Sequence, residues 1–241
     1  MHALKYLIFA LILSIGLGSS GYFIGHGLSN FKQNTNSIRV KGIGEKNIEA
    51  DYAIWTIPFF VNRDEFQEAK DQYEKDLQVV LDFLKENKFS SQDIQVMTPN
   101  VNQKVDRDSE MMGKNIKESY EVMGTVVVKT SHVRKVEDAS QKTFELLRKG
   151  IWLKGDQYAT NPRYIIADFD RFRPEIFAQA IDSAHRMAQT LAEKSGVKIG
   201  SVISVDQGQF SVNSRIGNEN EEAYIDKKAK VISYLTFEVN P

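Results

Sequence analysis

Residues 64–87, DEFQEAKDQYEKDLQVVLDFLKEN, decide the fold class. Phe66, Ala69, Tyr73, Leu77, Val80, Leu81 and Leu84 recur at intervals of three and four, the period of one helix face, and Glu, Lys, Asp and Gln fill the opposite side. An amphipathic helix must lay its apolar stripe on another layer, and the flanking segments supply a sheet. Residues 38–45 and 52–62 read as strands, the second through the alternation Tyr52, Ile54, Thr56 and the aromatic pair Phe59 and Phe60, with a turn near residues 46–50. Pro58 has no N–H for the ladder and predicts an edge or a bulge. Residues 94–104 and 120–130 read as the arms of one long hairpin, separated by the charged insert DRDSEMMGKNIKES.

A second helix is predicted over residues 133–149, with Val133, Val136, Ser140, Phe144 and Leu147 inward and Gly150 as its stop. A strand over residues 163–169 comes next. Pro174 then opens a third helix carrying Ile176, Phe177, Ala180, Ile181, Ala184, Met187, Ala188 and Leu191, which Gly196 ends. Residues 201–207 form a strand and residues 213–226 an acidic, Asn-rich loop. The last strand, residues 228–239, sets Ala229, Val231, Ser233, Leu235, Phe237 and Val239 on one face. The order β-β-α-β-β-α-β-α-β-β is α+β: a mostly antiparallel sheet packed by long amphipathic helices.

Composition excludes several function classes. With 31 Lys+Arg against 32 Asp+Glu, the net charge of −1 leaves no electrostatic footprint for nucleic acid. The chain has no cysteine, which removes disulfides, thiolate metal sites and a Cys nucleophile.

Ahead of the domain, residues 6–24, YLIFALILSIGLGSSGYFI, carry no charge. At 1.5 Å per residue they make a helix of roughly 28 Å, close to the ~30 Å hydrocarbon core of a bilayer. His2 and Lys5 precede the stretch and the next cation is Lys32, so the positive-inside rule leaves the N-terminus in the cytoplasm. The same stretch also reads as a cleaved export signal, with residues 6–17 as its apolar region and Gly18, Ser19, Ser20 and Gly21 as the cleavage site. Apolar Tyr22, Phe23 and Ile24 favour retention. The expected organisation is a single N-terminal transmembrane helix within residues 1–27, a polar tether over 28–37 and an exported domain over 38–241. Ser14, Gly18, Gly21 and Gly25 share one helix face, a pattern that lets membrane helices approach closely and self-associate, although small residues are also common in any span.

Two short segments carry a family resemblance. The run Ile38-Arg39-Val40-Lys41-Gly42-Ile43-Gly44-Glu45, followed by Ala50-Asp51-Tyr52-Ala53, resembles the opening signature of the SIMPL-domain family, and Ala180, Ala184, Ala188, Leu191, Ala192, Gly196, Val197, Lys198 and Gly200 are similar to its second signature. Ala50 stands where the family usually has proline, and residues 150–168 are extended where the family has a short turn. The resemblance implies an exported bacterial α+β domain, periplasmic or membrane-associated, that self-associates, in some relatives into ring- or channel-like assemblies. It also implies a link to oxidative-stress defence and to envelope antigens. No catalytic residue or cofactor comes with it.

Read from the residues themselves, the catalytic and metal patterns are weak. Gly42 and Gly44 lack the third glycine and the following helix of a dinucleotide loop, since Asn47 stands in its place; close backbone approach or a bulge explains them better. Asp51 is expected to cap a local turn rather than bind metal. His2, His26, His132 and His185 form no metal-ligating pair, His185 sits at the boundary of an apolar face, and His132 serves a helix start. Asp106, Asp108 and Glu110 imitate half a calcium loop, but Met111 and Lys117 occupy its glycine and glutamate positions. Met111 and Met112, among Arg107, Lys114 and Lys117, form an amphipathic tip that suits a partner or lipid, against the plainer reading of an open hairpin end. Asp168 and Asp170 read as helix-start residues; with His185 they form the one constellation a hydrolase reading can use.

The expected function is therefore a non-enzymatic, inner-membrane-anchored envelope protein with a periplasmic domain. Its partners are the lipid bilayer and further copies of itself, with no nucleic acid, no cofactor and unspecified envelope clients. The alternative is a chaperone-like or binding module, soluble in the periplasm if the leader is removed.

Overall fold

Ala53, Trp55, Ile57, Phe59 and Val61 alternate along one strand, and each is at most 3% exposed. That strand is β2 (Tyr52–Arg63). A computed structural model describes residues 14–24, 36–106, 117–155, 161–215 and 220–240. Helix α1 covers residues 14–24. The remaining elements are β1 (Ser37–Glu49), β2, α2 (Phe66–Glu86), β3 (Ile94–Val96), β4 (Asn100–Asp106), β5 (Lys117–Thr130), α3 (Val133–Ser140), α4 (Phe144–Arg148), β6 (Arg163–Ile165), α5 (Arg173–Ser195), β7 (Lys198–Ser214) and β8 (Asp226–Asn240). They form a three-stranded sheet, β1-β8-β7, and a five-stranded sheet, β3-β5-β2-β6, with β4 also on β5. The fold is α+β with antiparallel sheets and helices. The chain divides into two compact units, one of residues 1–42, 182–207 and 233–241, the other of residues 43–181 and 208–232.

In the second unit β2 runs antiparallel to β5 from Ala53 opposite Thr130 to Arg63 opposite Tyr120. Helix α2 covers the inner face of this pair with Ala69, Tyr73, Val80, Phe83 and Leu84. Phe83, set edge-on to Trp55 with ring centroids 6.4 Å apart, belongs to the buried stripe. Phe66 does not; it is 45% exposed. The true stripe therefore lies one step round from the expected one and carries Asp76 inside with it. Full burial of Val80, Phe83 and Leu84 contributes ~1.5–3 kcal/mol each. The helix ends where Lys88 takes a left-handed φ of 64°, so that Phe89 N–H bonds the Leu84 carbonyl at 3.0 Å and Phe89 folds back into the core.

Five expectations are corrected by the structure. The first hairpin arm is two strands: Val96 faces Val126 but Asn100 faces Met123, an offset that accommodates one extra residue near Pro99, whose nitrogen has no proton to donate. The second helix is broken after Ser140, and the turn beyond the break buries Leu146 and leaves Phe144 60% and Leu147 46% exposed. The strand expected over residues 163–169 stops at Ile165. β1 runs on to Glu49, moving the corner to Ala50 and Asp51, and β7 is longer than expected at 17 residues. Gly150 (φ 87°) and Gly196 (φ 71°) end helices in the left-handed region, as the sequence predicts. The insert over residues 107–116, with Arg107, Asp108, Glu110, Met111, Met112 and Lys114, lies outside the described residues.

The same unit holds a second cluster, in which Ile176 and Ala180 of α5 meet Ile48, Ala229 and Val231. Gly44 explains how closely they meet: a Cβ there would sit 2.0 Å from the Ile176 carbonyl oxygen and 2.9 Å from the Ala180 nitrogen. In the first unit Ala184 and Ala188 pack on Val40, Leu235 and Phe237. β8 keeps its expected alternation, with Ala229, Val231, Ser233, Leu235 and Phe237 each at most 1% exposed.

A methyl group at Gly44 meets backbone, which cannot move aside as a side chain tip can. Gly44→Ala is expected to lower unfolding stability by about 1–3 kcal/mol, the ordinary cost of overpacking. Gly18→Ala, with open space around it, is expected to leave the urea midpoint unchanged.

Candidate functional site

At one end of the five-stranded sheet, a cleft of about 340 Å³ is lined by Phe60, Asn62, Arg63, Gln72, Asp76 and Trp152 among others. Each arrives for a local reason. Phe60 and Asn62 are outward members of the β2 alternation, and Arg63 ends that strand. Trp152 comes just after the Gly150 turn, and its carbonyl accepts the Phe60 N–H at 3.0 Å, which sets the two rings edge-on 6.2 Å apart. Trp152 is 69% exposed, so its indole is a wall of the cleft rather than part of the core.

Asp76 is 7% exposed, and Gln72 one turn earlier donates to its Oδ1 at 2.7 Å. Burial raises its pKa, while the Gln72 hydrogen bond and the Arg63 charge oppose the rise. The carboxyl therefore takes up a proton more readily than an ordinary aspartate. Beside the cleft, Glu121 on β5 is 5% exposed and accepts from Lys104 and Lys154, each at 2.8 Å. These two lysines hold its pKa below the usual carboxylate range. Lys154 also stands 5.5 Å from the Phe60 ring centroid. The arrangement offers aromatic faces, a guanidinium and a protonatable carboxyl to one small guest, and it has the chemistry of binding.

A second hollow of about 220 Å³ lies in the same unit, lined by Tyr164, Ile166, Phe169, Val212, Glu222 and Lys227 among others. Lys227 is 3% exposed, donates to the Glu221 carbonyl, and has its pKa lowered by burial. Glu222 pairs with Arg163, which lowers the pKa of the acid and raises that of the guanidinium. Tyr164, buried alongside, has its pKa raised to about 12, chiefly by burial.

Several residues singled out from sequence turn out to be structural. Gly42 and Gly44 sit on the inner face of β1, and Gly44 is a close-approach glycine. Asp51, expected to cap its own turn, reaches a distant segment instead: its Oδ1 accepts from Ala167 N–H at 2.6 Å and its Oδ2 pairs with Arg171 at 3.1 Å, more than a hundred residues along the chain. Ala50 N–H bonds Ile225 O at 2.9 Å, so the whole corner is tied down. At Gly200 a Cβ would lie 3.2 Å from Glu238. Ser14, Gly18 and Gly21 lie on the exposed helix α1, whereas Gly25 is outside the described residues.

Asp168 and Asp170 are exposed residues of the second unit, Asp170 paired with Arg173 at 3.2 Å. His185 belongs to the first unit and stacks edge-on against Phe237 at 4.8 Å. His132 starts α3 without a side-chain cap bond. Among the described residues no group of three His, Cys, Asp or Glu is placed to hold a metal ion. Sequence reasoning missed Asp76, Glu121 and Lys227. Lys227 stands at an inward position of the β8 alternation, a legible signal; Asp76 emerges only once the α2 stripe is set by Phe83.

The SIMPL family, described as a protein of unknown function, matches residues 38–231, and the chain belongs to it. Among curated proteins none matches the chain.

A carboxyl whose pKa is raised on folding favours the native state at low pH and loses that contribution as pH rises through the folded value. Asp76 thus costs stability at neutral pH. Asp76→Asn, which keeps an oxygen for Gln72, is expected to raise the melting temperature at pH 7, and the gap to wild type should close as pH falls below the carboxylate range.

Proposed function

We propose that this SIMPL-family chain is a non-enzymatic protein of the bacterial envelope. Its apolar leader anchors it as a single-pass protein of the inner membrane, N-terminus in the cytoplasm, and residues 28–37 tether the domain over 38–241 in the periplasm. Copies gathered in the membrane plane self-associate around a common axis, as a ring- or channel-like assembly that serves envelope stress defence.

Helix α1 carries this reading. Ile15, Leu17, Tyr22, Phe23 and Ile24 are 61–73% exposed, a surface that water disfavours and hydrocarbon accepts. Among the described residues no helix is long and apolar enough to cross a membrane. The described α1 has 11 residues. That is about 16 Å at 1.5 Å per residue, roughly half a bilayer core. The spanning length proposed here includes residues 6–13, which lie outside the described residues. Tethering in a plane raises effective concentration, so modest contacts between domains suffice to close a symmetric assembly. A second reading, a small-molecule binding module, is favoured by the cleft of Phe60, Trp152 and Asp76.

Because the chain is free of cysteine, single reporters are unambiguous. In cells with a permeabilised outer membrane, an impermeant maleimide is expected to label Asn240→Cys at once and His2→Cys only after lysis. A chain recovered from the soluble fraction, or Asn240→Cys labelled only after lysis, contradicts the anchor.

A further inference from the structure

β7 lies at the edge of the three-stranded sheet, with β8 on one side. It runs 17 residues, KIGSVISVDQGQFSVNS, and Lys198 and Asp206 are its only charges. Val202, Ile203 and Val205 are 41%, 50% and 57% exposed. An edge of this kind presents a row of backbone N–H and C=O groups to any extended chain, and proteins ordinarily blunt it with lysine, proline or a bulge. β1, the opposite edge, is blunted: Arg39, Lys41, Glu45 and Glu49 alternate along its outward face. The stretch of β7 from Lys198 to Asp206 carries charges at its two ends and none between.

That stretch is complementary to itself. In an antiparallel pairing about a two-fold axis at Val202, Lys198 faces Asp206 of the second copy, and the symmetry repeats the pair. Ile199 then faces Val205, Ser201 faces Ile203, and Val202 meets its own counterpart. No like charges oppose one another; the Ile199–Val205 pairs fall on one face of the sheet and the Val202 pair on the other. An axis moved to Asp206 would instead set two aspartates together. We propose that β7 pairs with β7 of a second copy in this register, joining two three-stranded sheets into one of six. The proposal rests on the reading that the chain self-associates, and it names the surface by which copies pair. An isologous contact of this kind makes dimers, which a further contact in the membrane plane then assembles.

Full-length chain in detergent provides the test. Opposed residues of an antiparallel pair have Cα atoms about 4.5–5.5 Å apart, within disulfide reach. Val202→Cys is expected to form an interchain disulfide under mild oxidation. Gln207→Cys, also exposed, is not, because in this register two copies of residue 207 lie about ten residues, or roughly 33 Å, apart. Asp206→Lys should weaken self-association about tenfold by setting two lysine pairs face to face. The double variant Lys198→Asp with Asp206→Lys should restore it, although the Arg39–Asp206 ion pair (3.4 Å) within the chain stays broken.

Three results overturn the proposal and are distinguishable. Oligomers by light scattering, with Val202→Cys cross-linking no better than Gln207→Cys, leave self-association standing and remove this pairing. A β7 that binds an unrelated extended peptide while Val202→Cys fails to cross-link assigns the edge to clients. A strictly monomeric wild-type chain removes the pairing together with the self-association it rests on.

Discussion

A strand turns every second side chain the same way, and in β2 that constraint is met without exception from Ala53 to Val61. Five inward residues at most 3% exposed require one apolar helix face of matching length, and α2 supplies it. The ladder to β5 fixes the register on which the rest of that sheet is hung. A slip of one residue would turn Trp55 and Phe59 to water and set Pro58 and Asn62 against the helix. Around this pair the chain needs local devices: the left-handed Lys88 that returns Phe89 to the core, the offset near Pro99, and the Asp51 latch on Ala167 and Arg171.

The buried polar groups show where the fold carries a cost. Glu121 is compensated by two lysines and Lys227 by a carbonyl, whereas Asp76 has one glutamine hydrogen bond and an arginine charge against its burial. Asp76 carries that cost at the wall of an aromatic cleft, beside Phe60 and Trp152, the feature on which the proposed reading as a binding module rests.

Much of this was legible in the sequence because periodicity is a local property. The α+β sequence of elements, apart from the divided first hairpin arm and the broken second helix, together with the α2 region, the β8 alternation and the glycine stops at Gly150 and Gly196, derives from spacing and backbone chemistry. The family was legible from Gly42, Gly44 and the Ala180–Gly200 run. The features that stayed hidden depend on partners distant in the chain. Gly44 reads as a close approach, but only the fold says that Ile176 and Ala180 approach it. Asp51 reads as a local cap because its partners, Ala167 and Arg171, are far along the chain. The turn of α4, which exposes Phe144 and buries Leu146, follows a helix break that the apolar pattern passes through unmarked. The cleft escaped notice because Phe60, Asp76 and Trp152 come from three segments and share no motif.

The described surfaces leave uncovered an apolar helix and a long strand edge, the first proposed to meet a bilayer and the second another copy. Native mass spectrometry of the full-length protein released from detergent micelles reads both assignments in one spectrum. The expected masses are integer multiples, two or more, of the mass of a chain that retains residues 1–27. Single chains shorn of that leader would contradict both assignments.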